Sequence, residues 1–176
     1  MGDVRPRTKA ELAELERDQE DPKWLDWVNP ERMESQLAKF LTETIPDMPD
    51  DPWSAEGLDR AEREILNRFA TMDDAESSEN RDLADQFTRY IGEVFCRKFE
   101  GRWHNVRGTG GARYPEFGPA VDREWSEMYL DVANLVTATV HRHWGDYLST
   151  IFNNNARGHQ DWVDSGRPPI AERIEE

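Results

Sequence analysis

The sequence predicts a helix-rich α+β domain: N-terminal helices, a small antiparallel sheet, and a long C-terminal helix packing across it. Apolar residues recur at spacings of three and four through most of the front half and again after Asp131. Between these stretches, over 103–121, the period shortens around a glycine-rich turn, as in paired strands. Only 36% of the chain is hydrophobic, but seven Trp, seven Phe and four Tyr supply enough apolar area for a core. A length of 176 residues fits one domain spanning 1–176, with about 1–7 and 166–176 expected to be loose.

The elements follow in order. Residues 8–20 read as a short acidic helix, with Thr8 and Glu11 as a capping box and Leu12 and Leu15 as its apolar anchors. Lys23 to Val28 then bring Trp24 and Trp27 together. Asn29 is an N-cap, Pro30 takes the first helical position, and Val28 can staple onto Met33. Met33, Leu37, Phe40 and Leu41 form one face, and Pro46 ends this helix by about Ile45.

Pro46-Asp-Met-Pro-Asp-Asp-Pro52 has three prolines in seven residues and predicts an ordered, non-regular connector. A helix begins at Ser54, with Leu58, Ala61, Ile65, Leu66 and Phe69 on its face. Thr71 to Asn80 reads as an acidic loop. Leu83, Phe87, Ile91, Val94, Phe95 and Phe99 mark a long helix over about 79–99, stopped by Gly101.

Trp103 to Val106 reads as a strand and Gly108-Thr-Gly-Gly111 as a turn. Arg113 to Val121 is the partner strand, which Pro115 and Pro119 assign to an edge. Trp125 to Leu130 is a third strand or a helical lead-in. From Asp131 one helix carries Val132, Leu135, Val136, Val140, Trp144, Leu148, Ile151 and Phe152, and Asn153-Asn-Asn155 ends it.

The net charge of −15 is unevenly placed. Residues 1–85 hold 24 Asp and Glu against 11 Lys and Arg, or −13; residues 86–176 hold 13 against 11, or −2. Such asymmetry predicts a face that meets a basic partner. The lone Cys96 allows no internal disulfide. No apolar stretch resembles a secretory leader or approaches the ~18 residues of a membrane span, so a cytoplasmic protein is expected.

No catalytic constellation emerges. Glu56-x-x-Asp59 and Glu79-x-x-Asp82 have the spacing of paired magnesium ligands in all-helical nucleotide pyrophosphatases. A chain with 37 acids produces such spacings by chance, and both pairs stand in first turns that favour acids anyway. His141 and His143 are two apart on a helix and point to different sides, and no Cys/His spacing suits zinc. Cys96 lies on a strongly apolar helix. The glycine turn lacks the following helix of a phosphate loop, yet Arg107 and Arg113 make it the most basic loop of the chain.

The strongest candidate surface is the acidic connector. Glu43 to Asp59 holds six acids and no base, with Asp47, Asp50 and Asp51 close to Trp53. A large aromatic ringed by charge is the composition of an interface anchor. The simpler reading is that Trp53 staples onto Leu58. Asp73, Asp74 and Glu76 extend the same face if the two acidic stretches lie side by side. Asp47, Asp50, Asp51, Trp53, Asp73, Asp74, Glu76, Arg107 and Arg113 are therefore the candidate partner-binding residues.

With its helical front half and its Gly92-Glu-Val-Phe95 to Gly101-Arg-Trp103 junction, the chain resembles the immunity proteins of bacterial toxin systems. It is similar in size and composition to factors that neutralise an NAD-degrading toxin. The resemblance implies a non-enzymatic antitoxin without cofactor, which binds a basic toxin domain and plugs its active site. The alternatives are the magnesium-dependent pyrophosphatase and an acidic DNA mimic that blocks a nucleic-acid-binding protein.

Overall fold

The computed structural model describes residues 7–170 and 174–175. The loose ends expected from sequence fall largely on 1–6, 171–173 and 176, which lie outside the described residues. Arg7–Thr8 (β1) pairs in parallel with Ile174–Glu175 (β5). Between them the chain is a helix-rich α+β fold.

Thr8 opens α1 (Lys9–Asp18) through the expected capping box with Glu11. None of α1's residues is buried. It is tied to the sheet at its end, where the Gln19 side chain donates to the Asn105 carbonyl at 2.8 Å and accepts the Asn105 N–H at 2.9 Å. The Trp24–Trp27 segment is itself a helix, α2 (Pro22–Val28), with Asp21 as cap and Pro22 at N1. Asn29 and Pro30 then start α3 (Pro30–Lys39), which ends in one π-helical turn over Phe40–Thr44.

The connector leads to α4 (Ala55–Arg68), capped by Ser54. Thr71 to Asn80 is not a plain loop. Thr71 and Asp74 form a second capping box that starts α5 (Met72–Glu76), and a 3₁₀ turn leads into α6 (Arg81–Phe99). The left-handed residue that stops α6 is Glu100 (φ 55°). Gly101 instead begins β2 (Gly101–Asn105), where a Cβ would lie 2.6 Å from the Val121 side chain.

Strand β2 pairs antiparallel with β3 (Pro119–Arg123), which pairs with the two-residue β4 (Leu130–Asp131). Thus β3 is central and not the expected edge. Pro119 is tolerated because it is the strand's first residue, and Pro115 lies in the link before it.

The helix after Asp131 is two helices, α7 (Val132–Arg142) and α8 (Tyr147–Asp164). Positive φ at His143 (54°) and Gly145 (90°) turns the chain between them. The Asn153–Asn155 run does not end α8. Asn155 is buried, accepts a hydrogen bond from Arg123, and donates to the Ile151 carbonyl one turn back.

Helix α6 runs through the core. Phe87, Tyr90, Ile91, Val94 and Phe95 are fully buried among side chains of α3, α4, α7 and α8. Trp24 and Trp27 stack at 5.6 Å and close the core near β2. Asp85 organises that corner by accepting from Trp27 Nε1 (2.8 Å), Tyr114 Oη (2.6 Å) and Arg89 Nε (2.7 Å). No described helix is long and apolar enough to cross a membrane.

Candidate protein-binding face

The connector is pinned from both sides. Tyr90 Oη donates to the Pro52 carbonyl at 2.5 Å, and Gly57 lets the chain come this close. A Cβ on Gly57 would stand 2.2 Å from that carbonyl oxygen. Ser54 Oγ donates to the Asp51 carbonyl (2.7 Å) and accepts the Gly57 N–H (3.1 Å), so the cap of α4 also closes the connector's last turn.

Trp53 packs against the core cluster that contains Leu58, and it has two further contacts. Its half-buried ring lies against Tyr90 (centroids 5.7 Å apart) and under the Arg97 guanidinium, 4.0 Å from the ring centre. Arg97 is held by Glu93 and Glu34, each at 3.1 Å, and Glu93 also accepts the Trp103 indole N–H at 3.0 Å. The cation–π contact is thus built on a fixed guanidinium.

The connector acids divide into two groups. Asp47 takes two hydrogen bonds from Arg60 (2.9 and 3.3 Å), which hold its carboxyl below the usual range. Asp51 is paired with Lys98 at 2.7 Å, with the same effect, and also accepts the Trp53 N–H. Asp50, Glu43 and Glu56 are exposed and make no hydrogen bond or ion pair among the described residues.

The second acidic stretch lies at the start of α6. Asp74 is committed to the Thr71 capping box, Asp73 and Glu76 are exposed, and all three precede the N-terminus of α6. Asp51 is fastened to Lys98 near the C-terminus of that helix. Lys98 stands 17 residues after Arg81, which puts roughly 25 Å between Asp51 and the start of α6. The connector's other end is nearer, where Thr44 bonds Gln86 at 2.6 Å.

The glycine-turn loop also divides. Arg107 is exposed, but Arg113 is buried: it donates to Thr88 Oγ1 (3.3 Å) and to the Ala133 carbonyl. Its place among the surface candidates is therefore corrected. It fastens the β2–β3 link to α6 and α7.

The two acidic pairs of the pyrophosphatase reading stay apart as well. Glu56 opens α4 beside the connector, whereas Glu79 and Asp82 flank the start of α6. No three His, Cys, Asp or Glu among the described residues converge as metal ligands. A shallow groove of about 330 Å³ lies between α2 and the β2–β3 link, floored by Trp27 and Phe117 and bridged by the Lys23–Glu116 ion pair.

The organisers of the face, Arg97, Tyr90, Lys98 and Glu34, were missed in the sequence. The i,i+4 spacing of Glu93 and Arg97 was a visible signal; the approach of Trp53 across some 44 residues was not. No family model matches the sequence, and no curated protein or solved structure is significantly similar to it.

Proposed function

We propose that this protein is a non-enzymatic inhibitor of the immunity-protein kind, which binds a basic toxin domain and occludes its active site. The connector from Glu43 to Glu56 is its docking face. One observation carries this reading: Trp53 is pinned half-buried by Tyr90 and Arg97, beside Asp50 and Glu56, which the fold leaves unpaired.

A pinned aromatic loses little conformational freedom on binding, which favours tight association. Unpaired Asp50, Glu43 and Glu56 project negative field and speed the capture of a basic surface. The resemblance to immunity proteins adds the kind of partner: a toxin, with an NAD-degrading one in first place, acting in the same cytoplasm.

The test uses the tagged chain as bait in native cytosol, at about 0.05 and 0.5 M salt, followed by assay of the recovered protein. One stoichiometric basic protein, held at the higher salt and enzymatically silenced by one equivalent of this chain, is the expected result. The absence of a stoichiometric partner, or a partner that stays active in the complex, would contradict the proposal.

A further inference from the structure

We propose that the corner between α7 and α8 is the second contact of this interface. There Trp144 is a wedge for an apolar pocket of the partner protein, and Arg142 pairs with carboxylates on that pocket's rim. The inference rests on the reading of the connector as a docking face.

The corner is convex and preorganised. His143 and Gly145, both at positive φ, project the residue between them, and Trp144 is 55% exposed. A lone exposed apolar side chain is ordinary. This one is braced: the Tyr147 ring meets it edge-on at 5.4 Å, and the Arg142 guanidinium lies 5.2 Å from the Trp144 ring and 5.0 Å from the Tyr147 ring. Trp, Tyr and Arg are the residue types that dominate interface hot spots, and here all three are packed together before any partner arrives.

The chemistry of the pocket follows from Arg142. Stacked between two rings, it makes no hydrogen bond or ion pair among the described residues, so its planar set of N–H donors stays open. A guanidinium presented this way matches a carboxylate bidentately. Exposed His141 and His143 flank it, and Asp146 is the acid that follows in the same turn. In a chain of net charge −15, the open guanidinium of Arg142 is the group here that an acidic rim would meet.

The corner is also close to the connector. Ser54, at the connector's end, caps α4, and Glu62, eight residues on, holds the first N–H groups of α8. That distance along α4 is about 12 Å. An interface side of roughly 800 Å² covers both contacts.

The experiment places a photo-cross-linking benzoyl-phenylalanine at position 50 in one sample and at position 144 in another, in the full chain in native cytosol. The expected result is the same partner from both positions, with Asp or Glu flanking the partner residue joined to position 144. In addition, Trp144→Ala is expected to weaken binding of that purified partner about 30-fold while melting like the parent. Arg142→Lys, which keeps the charge and loses the planar fork, is expected to weaken it by a smaller factor.

A partner joined from position 50 alone would overturn the corner's role and leave the docking face standing. A second copy of this chain joined from position 144 would also overturn it. No adduct from either position would remove the docking face and the corner together.

Discussion

Glu62 caps a helix whose first residue is 85 positions away: its carboxylate accepts the Leu148 N–H at 2.8 Å and the Tyr147 N–H at 3.1 Å. The side chain is fully buried, and Asp146 gives α8 no side-chain cap of its own. The positive end of the α8 dipole is what makes a buried carboxylate tolerable there. Glu62→Ala is expected to cost about 2–3 kcal/mol, since it leaves one buried and one partly buried N–H group without acceptors, and Glu62→Gln less. Thermal melts should show the ranking parent, Gln, Ala; hydrogen exchange in the first turn of α8 should accelerate most in Glu62→Ala.

The division of the connector acids has a consequence for stability. Reversing Asp50 and Glu43 to Lys should leave the melting temperature nearly unchanged, because these groups have no partner to lose. Glu56→Lys, in the first turn of α4, should instead cost about 0.5–1 kcal/mol. Reversing Asp47 or Asp51 should lower it, since the new Lys would face Arg60 or Lys98. Parallel melts of the two sets check this, and equal melting temperatures would contradict the division.

The close approach of the connector to α4 predicts a steric phenotype. Gly57→Ala would force the Pro52 carbonyl or the Tyr90 hydroxyl aside, at a cost of about 1–3 kcal/mol. Tyr90→Phe removes only the hydrogen bond to Pro52 and should cost about 1 kcal/mol. Denaturant midpoints distinguish the two, with Gly57→Ala the lower.

His104 makes stability fall on mild acidification. Burial holds its pKa below the usual 6.5, and its ring lies flat against Tyr129 at 5.2 Å. The unfolded chain therefore takes up a proton that the folded chain resists. Stability is full above pH 6.5 and declines as the pH falls from there toward the folded pKa. Unfolding free energies at pH 8 and pH 5.5 should differ more in the parent than in His104→Gln.

Much of this fold was legible because its signals are local. Asn29 before Pro30 and Thr8 with Glu11 act within one turn, and the periodic face of α6 reports a core that surrounds it. Helix α2 carries the same cap-and-proline signal in Asp21-Pro22, but its seven residues are too few for a periodic face. The α7–α8 break was hidden because the apolar spacing continues through Trp144, which the structure turns outward; Gly145 was the overlooked sign.

Long-range partners were not legible at all. Arg113 reads as a loop cation until Thr88 and the Ala133 carbonyl close around it. The candidate face was half legible: composition marked Trp53 and its acids, but only the fold shows which acids Arg60 and Lys98 neutralise.

The most direct test of the docking face is the association rate of the purified partner with two baits, the parent and the Asp50, Glu43 and Glu56 to Lys variant. It would be followed by stopped flow from about 0.02 to 0.5 M salt. A variant at least about tenfold slower at low salt, with the two rates converging at high salt, is what an acidic steering face requires. Equal rates and equal salt dependence would contradict it.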